Sequence, residues 1–283
     1  MHWGKIVMHS FILVFLFLGV VILVNPLTDG IDHGTVRLIV KELIRIGITV
    51  GLFWLYARLF FKKTSAHFRI HKQFKLGKLW VMVGLAMPLT VIAFYVVTQS
   101  IDFERQDQLS LSTVLTIIIG SLITACSAGV TEEIVFRGYL FKLIEDKWNA
   151  ATAVFVTSIL FGVLHLLTVS GFQLIDLGLI LLAGTLVGMI FSLIVYKTGT
   201  VWNAVVVHII WNFFLNSNIV QFVSEAGEDH SSLVLFKFEW DNVWITGGTF
   251  GIEASIPAVG LYVLTIVWLV FHKPESIENS ITY

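Results

Sequence analysis

Long apolar segments, each close to the length that a helix needs to cross a bilayer, follow one another along the whole chain. A membrane-spanning helix requires about 20 predominantly apolar residues. The segments that meet this requirement are residues 6–24, 38–61, 79–98, 111–131 with a continuation to about 144, 150–169, 174–196, 201–222 and 255–272. The pattern predicts an all-α fold, a polytopic bundle of about eight transmembrane helices that forms one integral membrane domain over residues 1–283.

The few charged residues support this prediction and give it an orientation. Only 13% of the residues are charged and the mean hydropathy is +0.88, whereas about a quarter of a soluble domain is charged. The linker 62–78 contains no acid and six basic residues, Lys62, Lys63, Arg69, Lys72, Lys75 and Lys78. The positive-inside rule predicts that this linker is cytoplasmic, and an even number of spans then makes both termini cytoplasmic. The acidic segments 99–110 and 223–254 are predicted to be outer loops.

One segment places charges inside an otherwise apolar stretch: Glu132, Glu133 and Arg137. On a helix Glu133 and Arg137 are four residues apart and share a face, while Glu132 lies about 100° around the axis. A charge at the bilayer centre costs roughly 2.5 to 3.5 kcal/mol, so such groups usually face a water-filled interior and serve a function. The alternative is a helix end at the headgroups, with Arg137 as an anchor and both glutamates in water.

Two of the histidines, His165 and His208, lie well inside apolar segments. Phe161 precedes His165 by four residues and Asn212 follows His208 by four, so each pair shares a helix face. A single core histidine more often makes a helix–helix hydrogen bond than it catalyses a reaction. Because these polar groups and the Glu pair lie on three predicted spans, we expect them to meet inside the bundle.

The combined inventory of Glu132, His165, His208 and Asn212 suits peptide hydrolysis without a covalent enzyme intermediate. A carboxylate and a histidine can deprotonate water, and a histidine with an amide offers two donors to an oxyanion. Cys126 is an alternative nucleophile, although a thiol in apolar surroundings is usually inert. Zinc is the sharper alternative, since one Glu and two His form a zinc-ligand set. No HExxH pair is present, and we predict that neither a metal nor another cofactor is required.

These residues occur in three motifs, Glu132-Glu133-xxx-Arg137, Phe161-xxx-His165 and His208-xxx-Asn212. Their order resembles that of the CPBP family (CAAX protease and bacteriocin-processing, also called Abi), which are intramembrane metal-independent glutamic proteases and include the type II CAAX prenyl endopeptidases. The resemblance covers about 110 residues within a core of about 111–222, from the fourth span to the seventh. The first three spans and the last match no motif.

The resemblance implies a role for each motif position. Glu132 would activate a water together with His165, and His208 and Asn212 would stabilise the oxyanion. Glu133 and Arg137 would hold the site together. The helix face shared by Phe161 and His165 separately places the aromatic ring beside the imidazole.

The function expected from this resemblance is an intramembrane endopeptidase that acts on a membrane-associated peptide or protein. Prenylated CAAX tails, bacteriocin or pheromone precursors and membrane regulators are all candidate substrates. A multi-pass protein of the bacterial plasma membrane is expected, with the lipid bilayer as its surroundings and no nucleic-acid partner. The alternative function is a non-proteolytic immunity or scaffold protein. Gly184 and Gly188 permit close helix packing, but they do not define an oligomeric state.

Two details of geometry are left open. A fourth span that starts at Leu111 places Glu132 near the inner surface, while His165 lies past the middle of its span, so straight helices would separate them. Tilt, a bend at residues 127–129 or a shifted boundary would bring them together. The segment Gly247-Gly248-Thr249-Phe250-Gly251 is predicted to be either a flexible outer loop or a re-entrant turn.

Overall fold

The structure is a computed structural model that describes residues 2–74, 76–98, 100–104, 109–168, 173–223, 232–239 and 242–272. Most of the described chain is helical. The α-helices are α1 Trp3–Leu23, α2 Gly34–Tyr56, α3 Lys78–Val97, α4 Leu111–Glu133, α5 Phe141–Lys147, α6 Ala150–His165, α7 Leu174–Thr198, α8 Val201–Leu215, α9 Val243–Thr246 and α10 Ile256–Phe271. A π-helical segment, Ala57–Phe61, follows α2, and a second one, Ile134–Leu140, joins α4 to α5.

The predicted helical membrane bundle is confirmed. Four helical segments are long and apolar enough to cross a membrane, namely Trp3–Thr28, Lys78–Val97, Leu111–Lys147 and Leu174–Thr198. Three shorter apolar helices accompany them, namely Ala150–His165, Trp202–Leu215 and Ile256–Phe271. The number of eight spans and the cytoplasmic termini stay predictions.

A small sheet modifies the expected all-α fold. Strands β1 Ile101–Glu104, β2 Val220–Val223 and β3 Val234–Phe238 form it in the order β1-β3-β2. The β1–β3 pair is antiparallel and the β2–β3 pair is parallel. Parts of the two predicted outer loops are therefore ordered against each other by backbone hydrogen bonds.

The predicted seventh span, 201–222, is wrong at its carboxyl end. Helix α8 ends at Leu215, and Asn216 has a non-helical backbone (φ −116°, ψ 46°). The Ser217 hydroxyl donates to the Phe213 carbonyl and accepts from the Ile219 amide. Asn and Ser side chains compete in this way with helical backbone bonds, so the apolar residues that follow enter a strand instead.

Contacts of the basic linker identify one end of the bundle. The Arg69 carbonyl accepts the Val201 amide at 3.1 Å, and the Arg69 guanidinium pairs with Glu145 at 2.7 Å. Lys197 donates to the carbonyl of His272, which brings the end of α10 to the same end. Because α8 runs away from this end into β2, the sheet lies at the opposite end. We keep the cytoplasmic orientation of the linker end as a prediction.

Glycines allow α6 and α7 to pack closely. A Cβ on Gly162 would lie 2.6 Å from Thr185 Oγ1, and one on Gly184 would lie 3.0 Å from Gly162 Cα. One turn further, a Cβ on Gly188 would lie 2.9 Å from Ser158 Cα. The small residues of α7 are thus used in a contact within the chain, where they admit the backbone of α6.

The hairpin formed by α4 and α6 determines how far along the bundle Glu132 and His165 lie. Leu111–Lys147 is helical throughout and α6 starts at Ala150, where the Asn149 side chain accepts the Thr152 amide at 2.8 Å. Glu132 lies fifteen residues before Lys147 and His165 fifteen residues after Ala150. Antiparallel helices joined by such a short turn bring equidistant residues to similar levels. The expected separation does not occur, and residues 127–129 remain α-helical.

Candidate active site

A fully buried ion pair lies at the centre of the bundle. Arg137 Nη1 donates to Glu133 Oε1 at 3.1 Å, and neither side chain is exposed. Arg137 Nη2 donates to the Gly188 carbonyl at 3.1 Å, which ties α7 to the π-helical segment. The guanidinium carbon lies 4.3 Å from the ring centre of Phe161 and 5.3 Å from that of Phe191. Rings, a carboxylate and a carbonyl therefore replace water around this cation.

His208 extends this network into α8. Its Nδ1 lies 2.9 Å from Glu133 Oε1, and its ring stacks on Phe191 at 4.6 Å with an interplanar angle of 16°. On the other side of the ring, Nε2 lies 3.9 Å from Glu132 Oε2. One edge of the imidazole is held by a buried carboxylate, and the other edge is directed towards the neighbouring glutamate.

His165 is held by its own helix. Its Nδ1 lies 2.7 Å from the Phe161 carbonyl oxygen, and the two rings lie 4.4 Å apart. Because a carbonyl oxygen only accepts, Nδ1 must carry the proton. In the neutral tautomer Nε2 then carries no proton and acts as an acceptor.

A cavity of about 420 Å³ collects the predicted site residues. Five of them line it: Glu132, Phe161, His165, His208 and Asn212. Glu133 and Arg137 do not line the cavity but lie behind it, completely buried. The two adjacent glutamates thus differ in environment, since the side chain of Glu132 is 20% exposed and that of Glu133 is not exposed at all.

The structure bears on three of the alternatives that the sequence left open. The headgroup position for Arg137 is wrong, because the guanidinium is buried within the bundle. Cys126 is partly exposed and is not among the residues lining the cavity. In the described part of the chain, no three His, Cys, Asp or Glu side chains form a group that could hold a metal ion. Metal independence itself stays a prediction.

Sequence reasoning missed several residues of this site. Phe191 and Gly188 come from α7, and Thr249, Phe250 and Glu253 come from the segment before α10. An apolar helix gives no sign of which Phe faces the site. The Gly-rich segment 247–251 did offer a signal: the Thr249 amide contacts Asp176 of α7, and re-entry into the membrane stays a prediction.

The fold and the site together define a helical membrane protein with a carboxylate–histidine cavity. The family model described as type II CAAX prenyl endopeptidase Rce1-like matches residues 113–214. This segment contains all seven motif residues, so the predicted relationship to the CPBP family is confirmed there. The match supports a CAAX protease-type enzyme of the membrane. No curated protein matches the chain.

The buried pair generates a prediction about stability. Replacing Arg137 with Ala leaves the Glu133 carboxylate without its cation, and breaking such a buried pair costs roughly 3 to 5 kcal/mol. We expect Arg137→Ala to lower the yield of folded protein and the midpoint of thermal unfolding in detergent, together with any activity.

The matched control is Arg58→Ala, which removes an exposed arginine that lies 5.8 Å from the Trp54 ring. Its unfolding midpoint should stay close to that of the wild type. If Arg137→Ala unfolds like Arg58→Ala and loses only activity, Arg137 acts on the substrate and its structural role is wrong.

Proposed function

We propose that the protein is an intramembrane endopeptidase that hydrolyses a peptide bond of a membrane-associated peptide or protein. The observation that carries the proposal is the different use of the adjacent glutamates: Glu133 is occupied by Arg137 and His208, whereas Glu132 reaches the cavity. One carboxylate supports the site and the other is available to a water molecule. The match to CAAX protease-type enzymes supports the same reaction class.

In the proposed reaction Glu132 is the general base. Its carboxylate accepts a proton from a water as the oxygen of that water attacks the scissile carbonyl. Nε2 of His165, which lines the same cavity, accepts the second hydrogen bond of this water and orients it. The proton then passes from Glu132 to the leaving amine when the tetrahedral intermediate collapses. No bond forms between enzyme and substrate.

His208 and Asn212 are proposed to stabilise the oxyanion. In this proposal both nitrogens of His208 carry a proton. Nδ1–H donates to the Glu133 carboxylate, and Nε2–H of the imidazolium donates into the cavity. Its positive charge and that of Arg137 are balanced by the carboxylates of Glu132 and Glu133. Asn212 lies one turn further along α8 and also lines the cavity, so its amide supplies a second donor.

The cavity volume of about 420 Å³ suits a short stretch of a peptide and falls in the range of small-molecule sites. The substrate is therefore proposed to enter as an extended segment near the membrane. Prenylated CAAX tails, bacteriocin or pheromone precursors and membrane regulators fit this description, in a bacterial plasma membrane.

The first test addresses water activation. Glu132→Gln and His165→Ala should each abolish cleavage and leave the protein folded, because base and partner act as a unit. Peptides from membranes of cells that express wild type or Glu132→Gln are compared by mass spectrometry, and purified protein is assayed on peptides that differ.

Cys126→Ala serves as the matched control on the same helix, and its cleavage rate should equal that of the wild type. Loss of cleavage in Cys126→Ala would assign the nucleophile to the thiol. Identical peptide profiles for wild type and Glu132→Gln would favour the non-proteolytic scaffold.

The second test concerns the oxyanion. Asn212→Ala should lower kcat by about 10² to 10³, the effect of removing one preorganised donor. Asn216→Ala, which removes an exposed amide one turn further along the same cavity, should have a much smaller effect. A change in KM alone for Asn212→Ala would make Asn212 a residue that binds the substrate.

The third test concerns metal. Asn212 is a poor zinc ligand, and the Arg137 cation behind Glu133 opposes a divalent ion nearby. Protein treated with a strong chelator, and checked for zinc by elemental analysis, should keep its cleavage rate. Loss of the rate and its recovery with stoichiometric zinc would make Glu132, His165 and His208 metal ligands.

A further inference from the structure

Part of the cavity wall comes from outside the segment that matches the family model. Thr249, Phe250 and Glu253 line the cavity together with the proposed catalytic residues, although the match ends at residue 214. The Phe250 ring lies 6.0 Å from the ring of His165 in an edge-on arrangement. The segment that carries these residues therefore forms the side of the cavity that faces His165.

The segment that carries this wall is held by contacts with two helices, α7 and α3. The Asp176 carboxylate accepts the Thr249 amide at 3.4 Å, and the Tyr95 hydroxyl donates to the Ile245 carbonyl at 2.5 Å. Gly248 has φ +63°, and a Cβ there would lie 2.2 Å from Asp176 Oδ1. A larger residue here would have to displace the Asp176 carboxylate and adopt a left-handed backbone, so glycine is favoured where the turn approaches α7.

Glu253 is the charged member of this wall. Its carboxylate accepts the Trp211 indole N–H, and its carbonyl accepts the Tyr262 hydroxyl at 3.0 Å. Trp211 lies on α8 between His208 and Asn212, so this bond fixes the carboxylate beside the proposed oxyanion donors. Burial raises the pKa of Glu253 to about 7; Trp211 and His208 oppose the shift and Glu132 adds to it.

The cavity as a whole favours a positive charge. Its lining contains two carboxylates, Glu132 and Glu253, against one positive charge, that of the proposed His208 imidazolium, and among the described residues that line it none is Lys or Arg. Four aromatic rings accompany them, those of Phe161, Trp211, Phe250 and Tyr262. Carboxylates and ring faces both attract a cation in a poorly solvated site and repel an anion.

We propose that Glu253 determines specificity by binding a basic side chain of the substrate, a lysine or arginine close to the scissile bond. This inference rests on the proposed function, since it assigns a substrate feature to the same cavity. An amine beside the Glu253 carboxylate completes an ion pair that is enclosed by the Trp211 and Tyr262 rings. A bound cation also stabilises the ionised form of Glu253, which burial disfavours.

The test uses internally quenched synthetic peptides that are identical except at one residue near the scissile bond, which is Lys, Gln or Glu. Close charge pairs in interfaces change affinity by about tenfold or more. For the wild type in detergent we expect kcat/KM for the Lys peptide to exceed that for the Gln peptide at least about tenfold. In Glu253→Gln this ratio should fall to nearly one, mainly through KM, and in Glu253→Lys the Glu peptide should become the preferred one.

The matched control is Glu239→Gln, which removes an exposed carboxylate outside the cavity and should keep the Lys-to-Gln ratio of the wild type. A merely structural role for Glu253 would lower kcat/KM for both peptides and leave the ratio unchanged, which overturns the inference.

A binding measurement distinguishes failure of this inference from failure of the proposed function. The same peptides are titrated by fluorescence anisotropy into Glu132→Gln and into Glu132→Gln/Glu253→Gln. If the wild type cleaves none of the peptides, the proposed function fails for these substrates. The role of Glu253 is still supported if Glu132→Gln binds the Lys peptide about tenfold more tightly than the Gln peptide and the double variant does not. Equal affinities for the Lys and Gln peptides, or binding of neither, overturn it.

Discussion

The contact between Arg137 and Glu133 is the constraint on which the site depends. An unpaired guanidinium inside a membrane protein is costly, and here it is enclosed by a carboxylate, the Gly188 carbonyl and two aromatic rings. These partners come from α4, α6 and α7, and Glu133 also reaches His208 on α8. Enclosing one buried cation therefore fixes the relative positions of α4, α6 and α8, which carry the motifs, and of α7, which carries none.

The same network divides the work between adjacent glutamates. Both oxygens of a carboxylate attract cations and donors, so two adjacent glutamates that both faced the cavity would compete for the same water and the same histidine. Arg137 and His208 occupy Glu133 on the buried side, and the change of about 100° along the helix turns Glu132 to the cavity. The complete burial of Glu133 suits its proposed supporting role, and the exposure of Glu132 to the cavity suits its proposed role as a base. Neighbouring positions on a helix provide both.

The sequence predicted the parts of this site that follow from helix periodicity. The pairing of Glu133 with Arg137, the shared faces of Phe161 with His165 and of His208 with Asn212, and the bundle itself all follow from spacing and hydropathy. Phe191 and Glu253 could not be predicted in this way, because their contacts join residues far apart in the chain and have no periodic pattern. The strand at 220–223 was missed because a short apolar run reads equally well as the end of a helix.

The depth of the site shows why local composition was not sufficient. Although the sequence predicts that the fourth helix continues to about residue 144, a rise of about 1.5 Å per residue from an outer start at Leu111 places its charges near the inner surface. In the fold the helix continues to Lys147, and the π-helical residues beyond Glu133 are buried against α1 and the linker side chain Phe68. Packing on both sides of the charges places them well inside a long helix. Since α6 returns from a two-residue turn, the level of His165 is then determined by the same helix that positions Glu132.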